Sequence, residues 1–511
     1  MNLFDFHVTC GKRFKRLAMD CLKKVESEYD SRFENTGCDT KLHRAAILGV
    51  YDDVTKLTAK YDVNEKDENG RTALHFASDA KVTEILIANN ADVLARDKAG
   101  ITPLHMAAAK GRGDVIRLLL LSGADVDDNN NAWECSPLHL AAGYGHPGAV
   151  ESLINQNAEV NSLDSDGRTP LHAAAEQEGY FYPSEFWDVF YEAFISDDYG
   201  RFEEISMFIS SAVNRGHDDL VKMYQSNQGA FDHEKSYRWL QCRIEKGFIE
   251  TFIKLIGNGA IVDIKDAFGR TPLHLAAMTG QKENVLYLLE NGAYKNVLDN
   301  CNQSPLHLVE SPEVAEKLIG SGALLDIRDS EGRTPLHNAI SSGNYELASL
   351  LIRSECEPAP KDRKGLTPLH LCAPEKKGVF RHIATCLIEG EADVDSKDDT
   401  GRTALFHAET KSMAEVLICN NADIMSSDYL GRTLLHTIAE KEEFKKNVQE
   451  LLLFFMDNGL DVNAMDRFGK TPLLRARNHT CANILIQRGA DVSAVDKSGR
   501  GTSWSKRIHP Q

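Results

Sequence analysis

From Asp266 to Ala293 the chain sets two short apolar faces between groups of turn residues. Leu273, Ala276 and Ala277 recur at three- and four-residue spacing, which predicts a helix with one buried side. The alanines are small enough to let a neighbouring helix approach closely. Thr271 stands where an N-cap hydroxyl accepts a backbone N–H of the first turn, and Pro272 takes the first helical position, where its missing N–H costs nothing. Gly280 ends this helix. Val285, Leu286, Leu288 and Leu289 predict a second helix stopped by Asn291-Gly292, and Asp266 to Gly269 supply the turn before Thr271.

The string Thr271-Pro272-Leu273-His274 recurs unchanged from Thr102, Thr169, Thr334 and Thr367, and with serine in first place from Ser136 and Ser304. Looser copies begin at Thr40, Thr72, Thr403, Thr433 and Thr471. Between Thr169 and Thr271 the string is lost. There Gly216 with Gly229-Ala230, and Gly247 with Gly259-Ala260, keep the spacing and predict two worn units starting at Met207 and Arg238. A fixed period of roughly 33 residues decides the architecture, because a single such unit cannot bury its own apolar face and must stack on neighbours. With T-P-L-H, a glycine at the tenth position and Gly-Ala after the second helix, the pattern resembles the ankyrin repeat. The resemblance implies an all-α solenoid of stacked helix-turn-helix units with β-hairpin-like loops between repeats. It is nearly silent about function, since the residues that carry it are scaffold.

On this reading residues 1–39 are an N-terminal capping segment, and 40–206 hold five repeats with an aromatic-rich extension at 176–206. The two degenerate units occupy 207–270, seven further repeats 271–497, and a tail 498–511. In the first segment Lys12, Arg13, Lys15 and Arg16 surround Phe14 and Leu17 in an amphipathic pattern that suits a capping helix or a basic docking helix. The units at Thr72, Ser304, Thr403 and Thr471 are three residues short between their helices, and those at Thr367 and Thr433 are longer there.

Composition narrows the function. The net charge of -18 argues against nucleic acid or an anionic membrane as the main partner. No apolar run approaches the roughly 20 residues that span a bilayer, and the N-terminus is too short and polar for a secretory signal. Eleven cysteines lie scattered without CxxC pairs, which suits a reducing, cytoplasmic setting, with nuclear entry left open. His105, His139, His172, His274, His307, His337 and His370 each hold the fourth place of their own motif, so they brace that repeat's turn rather than share a metal. Gly469-Lys470-Thr471 lacks the earlier glycine of a phosphate loop, because Ala464 stands there. No nucleophile-elbow or kinase string is present, and neither catalysis nor a cofactor is expected.

Two stretches stand out as candidate sites. Residues 179–208 hold eleven of the chain's 39 aromatics, among them Tyr180, Phe181, Tyr182, Trp187 and Tyr191, mixed with acidic side chains. They are either core for worn repeats or an exposed anchor for a partner, the role in which Tyr and Trp are enriched. Leu153 to Asn161 resembles the site that asparaginyl hydroxylases modify in ankyrin-repeat proteins, which makes Asn161 a candidate for hydroxylation as well as a turn-closing residue. The expectation is a monomeric, non-enzymatic scaffold or adaptor that grips protein partners along the repeat surface. The alternatives are a substrate-recruiting subunit of an enzyme complex such as a ubiquitin ligase, or the ankyrin array of a channel or toxin-like protein.

Overall fold

Each motif among the described residues folds into a pair of helices, the first begun at its Thr or Ser and in most repeats by the Pro that follows. In the computed structural model the repeat begun at Thr271 forms helices Pro272–Met278 and Lys282–Glu290, with Gly280 at φ 76° turning the chain between them. Residues 39–176, 247–374, 380–442, 446–502 and 504 are described. They fall into two compact units, Met1–Tyr294 and Lys295–Gln511. Among the described residues the structure is all-α, apart from an isolated bridge between Val495 and Gly501.

In the Met1–Tyr294 unit, helix pairs follow the starts at Thr40, Thr72, Thr102, Ser136, Thr169 and Thr271, and in the Lys295–Gln511 unit those at Ser304, Thr334, Thr367, Thr403, Thr433 and Thr471. Within each unit first helices pack on first helices and second on second. The leucine of each T-P-L-H string lies in the seam: Leu138, Leu171 and Leu273 are fully buried. Burying one such side chain stabilises by about 2 kcal/mol.

The repeat begun at Thr169 is completed far along the chain. Its first helix, Pro170–Glu176, packs on Pro272–Met278, and the place of its second helix is taken by residues 247–257. There Lys254 pairs with Glu151 of the preceding repeat at 2.8 Å, and the Phe248 ring lies against Gly145, where a β-carbon would come within 3.0 Å of it. The loops agree. Ala267 N–H donates to the Asp166 carbonyl at 2.8 Å, as Ser165 N–H does to the Trp133 carbonyl at 3.0 Å one repeat earlier in the stack. The expectation that Gly247 and Gly259-Ala260 close a separate unit begun at Arg238 is therefore corrected. They close the one begun at Thr169, because the seam left by Pro147–Ile154 needs an apolar helix and Phe248, Phe252 and Leu255 supply it. The unit expected at Met207 and the basic pattern in 1–38 lie outside the described residues.

The short units also differ from expectation. Their missing residues come from the first helix itself, which is four residues long at Ala73–Phe76, Pro305–Leu308, Ala404–His407 and Pro472–Arg475, against seven at Pro272–Met278. The chain then leaves the helix in an extended conformation, at Val309 with ψ 131° and at Ala408 with ψ 130°. That geometry positions a side-chain N-cap for the second helix, and Asp79, Ser311, Thr410 and Asn478 each accept a backbone N–H there. Such a cap stabilises by about 1 kcal/mol and offsets part of the lost turn.

The assignment of 247–257 to the Thr169 repeat is tested by removing residues 178–245. Excising them and closing the gap with a short Gly-Asn turn is expected to leave the melting temperature within about 2–4 °C of the parent. Loss of the cooperative transition in calorimetry would contradict this assignment.

Candidate partner-binding surface

The histidine of each motif holds both its own turn and the next repeat. Thr271 and His274 form a capping box in which histidine replaces the usual acidic or amide residue. The Thr271 backbone N–H donates to His274 Nδ1 at 3.1 Å, and the Thr271 hydroxyl lies 2.9 Å from the same nitrogen. The cap read from the sequence is thus shared with an imidazole. In nine repeats the opposite nitrogen, Nε2, lies 2.9–3.2 Å from a backbone carbonyl of the following turn. His75 reaches Ile101, His337 reaches Leu366 and His172 reaches Arg270, 98 residues away.

A carbonyl only accepts, so Nε2 carries the proton; where Nδ1 meets a backbone N–H it must accept. The geometry therefore selects one neutral tautomer. Burial pushes the His75 and His172 imidazoles down to about 4, and lowers His105, His139, His307, His337, His370 and His436 as well. Beside His172, its bond to the Arg270 carbonyl and the charges of Asp266 and Asp164 favour the cation and Arg168 opposes it; burial outweighs them. With both nitrogens of these rings engaged, none serves as a general base.

Among the described residues, two repeats lack the histidine. Phe406 takes its place after Thr403, whose hydroxyl is left without a partner, and His407 instead bonds Asp398 at 3.1 Å. Leu474 takes it after Thr471, and there Arg475 bridges Asp466 and Glu440, while Glu440 also meets Arg432. A charged bridge thus ties this repeat back to the one before it, a junction that His436 also makes through the Lys470 carbonyl.

These braces hold the inter-repeat turns side by side. Asp266 Oδ1 accepts from Phe268 N–H at 2.9 Å and Arg270 N–H at 2.8 Å, closing its turn, and equivalent aspartates do the same along both units. The second residue after that aspartate, or after Asn131 in its place, stands at the tip. At this position Trp133, Phe268, Leu430 and Phe468 are exposed large apolar residues. Sequence reasoning passed over them; the spacing from the turn Asp or Asn is the signal that finds them.

Tyr180, Phe181, Tyr182, Trp187 and Tyr191 lie outside the described residues. Asn161 is described, and it joins neighbouring repeats: Nδ2 donates to the Gly259 carbonyl at 3.1 Å and Oδ1 accepts from Ile261 N–H at 2.9 Å. Asn64 and Asn463 make the same pair of bonds. Among the described residues no group of three or more His, Cys, Asp or Glu side chains is placed to hold a metal ion, and no helix is long and apolar enough to cross a membrane.

Comparison with known proteins gives the same architecture. The family described as ankyrin repeats (three copies) matches residues 42–130, 120–182, 209–299, 306–381 and 409–496, and a single ankyrin repeat matches 364–399. Human Rabankyrin-5 is 26% identical over 287 residues, 55% of this chain and 22% of that protein. Mouse NF-kappa-B inhibitor zeta is 27% identical over 298 residues, 54% and 35% of the two chains. Chicken Inversin is 30% identical over 160 residues, 30% and 11% of the two. The chain thus spans about a third or less of the length of these relatives. The solved human ASB11 ankyrin repeat domain aligns with a TM-score of 0.38 at 22% identity, covering 55% of this chain and 98% of that one.

The histidine braces make stability depend on pH. An unfolded histidine takes up its proton near pH 6.5, whereas folded His172 does so only near pH 4. Between those values the unfolded chain binds more protons, so stability falls as pH falls. His172 alone accounts for on the order of 3 kcal/mol by the bottom of that window. Urea denaturation is expected to show a midpoint that drops steadily from pH 7 to pH 4.5 and less steeply in His172→Gln; a flat midpoint in the parent would contradict the neutral-tautomer assignment.

Proposed function

The chain belongs to the ankyrin repeat family, and from that membership we propose that it is a monomeric, non-catalytic scaffold or adaptor that binds protein partners through its repeat surface. The observation that carries the reading is the row of turn tips. Their backbones are locked by buried aspartate and histidine bonds while their side chains, Trp133, Phe268, Leu430 and Phe468, face outward. Rigid aromatic groups on a fixed backbone bind at small entropic cost, which is the physics of an interaction surface rather than of a reaction centre. The acidic balance favours partners with basic or mixed faces elsewhere on the surface. A cytoplasmic setting, read from the scattered cysteines, and the aromatic anchor at Tyr180, Phe181, Tyr182, Trp187 and Tyr191 belong to this proposal.

Proximity labelling tests it. The parent is expected to enrich proteins that Leu273→Asp and Leu336→Asp lose, since each variant buries an unpaired charge in one unit. Identical lists for all three would overturn the reading. An unchanged list for Tyr180→Ala/Tyr182→Ala would remove the aromatic anchor from it. Asn161 is the residue at which hydroxylation is proposed. Leu153, eight positions earlier, is fully buried in its helix, and Asn161 itself is half-buried. Intact-mass analysis after co-expression with an asparaginyl hydroxylase is expected to show a gain of one oxygen at Asn161, and no gain ends that part of the proposal.

A further inference from the structure

Along the turn tips of the Lys295–Gln511 unit the surface changes character. The residue just before each turn aspartate is Arg328, Lys361 and Lys397 in successive repeats, and each sends its cationic end to a backbone carbonyl of the next repeat. Further on the same place is held by Met465 and Val495, which are 65% and 54% exposed. The tip position two residues after the aspartate changes one repeat earlier, from Glu331, Lys364 and Thr400 to Leu430 and Phe468, and is polar again at Ser498. Adjacent tips are joined by one backbone bond each: Tyr429 N–H to Thr400, Arg467 N–H to Leu430, and Lys497 N–H to Phe468, all at 2.9–3.0 Å. Tyr429 is also held from beneath, since its ring lies over Gly401, where a β-carbon would come within 2.6 Å of a ring carbon.

An apolar cluster confined to consecutive tips marks a contact surface. The charges beside it indicate what the contact is with. Although the whole chain carries -18, residues 427–430, 465–468 and 495–500 expose Arg467, Lys497 and Arg500, while Asp428, Asp466 and Asp496 are buried in their own turns. An apolar centre with a basic rim is complementary to an acidic ligand with apolar side chains. Neighbouring repeats are roughly 10 Å apart, so three tips span roughly 20 Å, the length of about six residues of extended chain.

We infer that the turn tips at Asp428, Asp466 and Asp496 form a docking strip for an extended acidic segment of a partner protein. Its carboxylates meet Arg467 and Lys497, and its aromatic or aliphatic side chains settle on Tyr429, Leu430, Met465 and Phe468. The inference rests on the reading of the chain as a protein-binding array and names one site on it.

Fluorescence anisotropy of the full chain with a fluorescein-labelled peptide of repeating Asp-Phe-Glu-Leu units tests the strip. Binding is expected, weakening as salt rises. Phe468→Ala and Arg467→Glu are each expected to reduce affinity about tenfold with melting unchanged, and Trp133→Ala/Phe268→Ala to leave it intact. Absence of binding, equal binding of a companion peptide with lysine in place of the acids, or parent-like affinity in both tip variants would overturn the inference. So would concentration-dependent sedimentation abolished by Phe468→Ala, which assigns the patch to a second copy of the chain. Partner capture that survives both tip variants overturns the docking strip alone, whereas a parent that captures no partner overturns the broader reading.

Discussion

The structure depends on a neutral imidazole buried between two repeats. A helix start leaves backbone N–H groups without partners, and stacking buries them together with carbonyls of the following turn. One side chain with an acceptor on one edge and a donor on the other satisfies both at once. His172 does so between the Thr169 N–H and the Arg270 carbonyl. Leaving either group unpaired in the seam would cost about 1–3 kcal/mol, which is comparable with what one buried leucine contributes. Hydrophobic packing brings the helices together, and the imidazole sets the distance and register at which they meet.

That register is what makes a recognition surface possible. Within each unit a turn is closed by its aspartate, or by Asn131 in one case, and tied to its neighbour by a backbone bond, so side chains at the tips are presented at a regular interval on a backbone that does not have to reorganise. The repeat begun at Thr471, which lacks the histidine, is tied to the one before it by charge as well. Arg475 bridges Asp466 and Glu440, and Asp466 is the aspartate that closes the turn carrying Phe468. The turn carrying Phe468 is thus braced by Arg475 as well as by His436, which reaches the Lys470 carbonyl, and the departure from the motif at Leu474 in the core coexists with an apolar tip at the surface.

The repeat starts, the two helices of each unit and the bracing role of the histidines were legible in the chain. They arise from local chemistry: a hydroxyl before proline, a glycine at the end of a short helix, an alanine pair on one face. The reach of each histidine into the following repeat was not legible, because its partner is a backbone carbonyl, which every residue carries. The shortened first helices were misplaced to the connecting loop for a similar reason. A deletion of three residues reads the same in sequence whether it is taken from the loop or from the helix, and only the extended backbone at Val309 and Ala408 tells the two apart.

The sequence by itself determined the architecture, since a period repeated so often leaves one way to bury the apolar faces. The tertiary structure alone decided which helix completes the repeat begun at Thr169. Spacing favoured a new unit at Arg238, but the seam beside Pro147–Ile154 accepts whichever apolar helix fits it, and residues 247–257 carry Phe248, Phe252 and Leu255 to that place. Packing is indifferent to distance along the chain. Tertiary structure likewise decided which apolar residues face outward. Phe252 and Phe468 are the same residue type, one fully buried and the other half exposed, because a seam surrounds the first and a closed turn lifts the second clear of it.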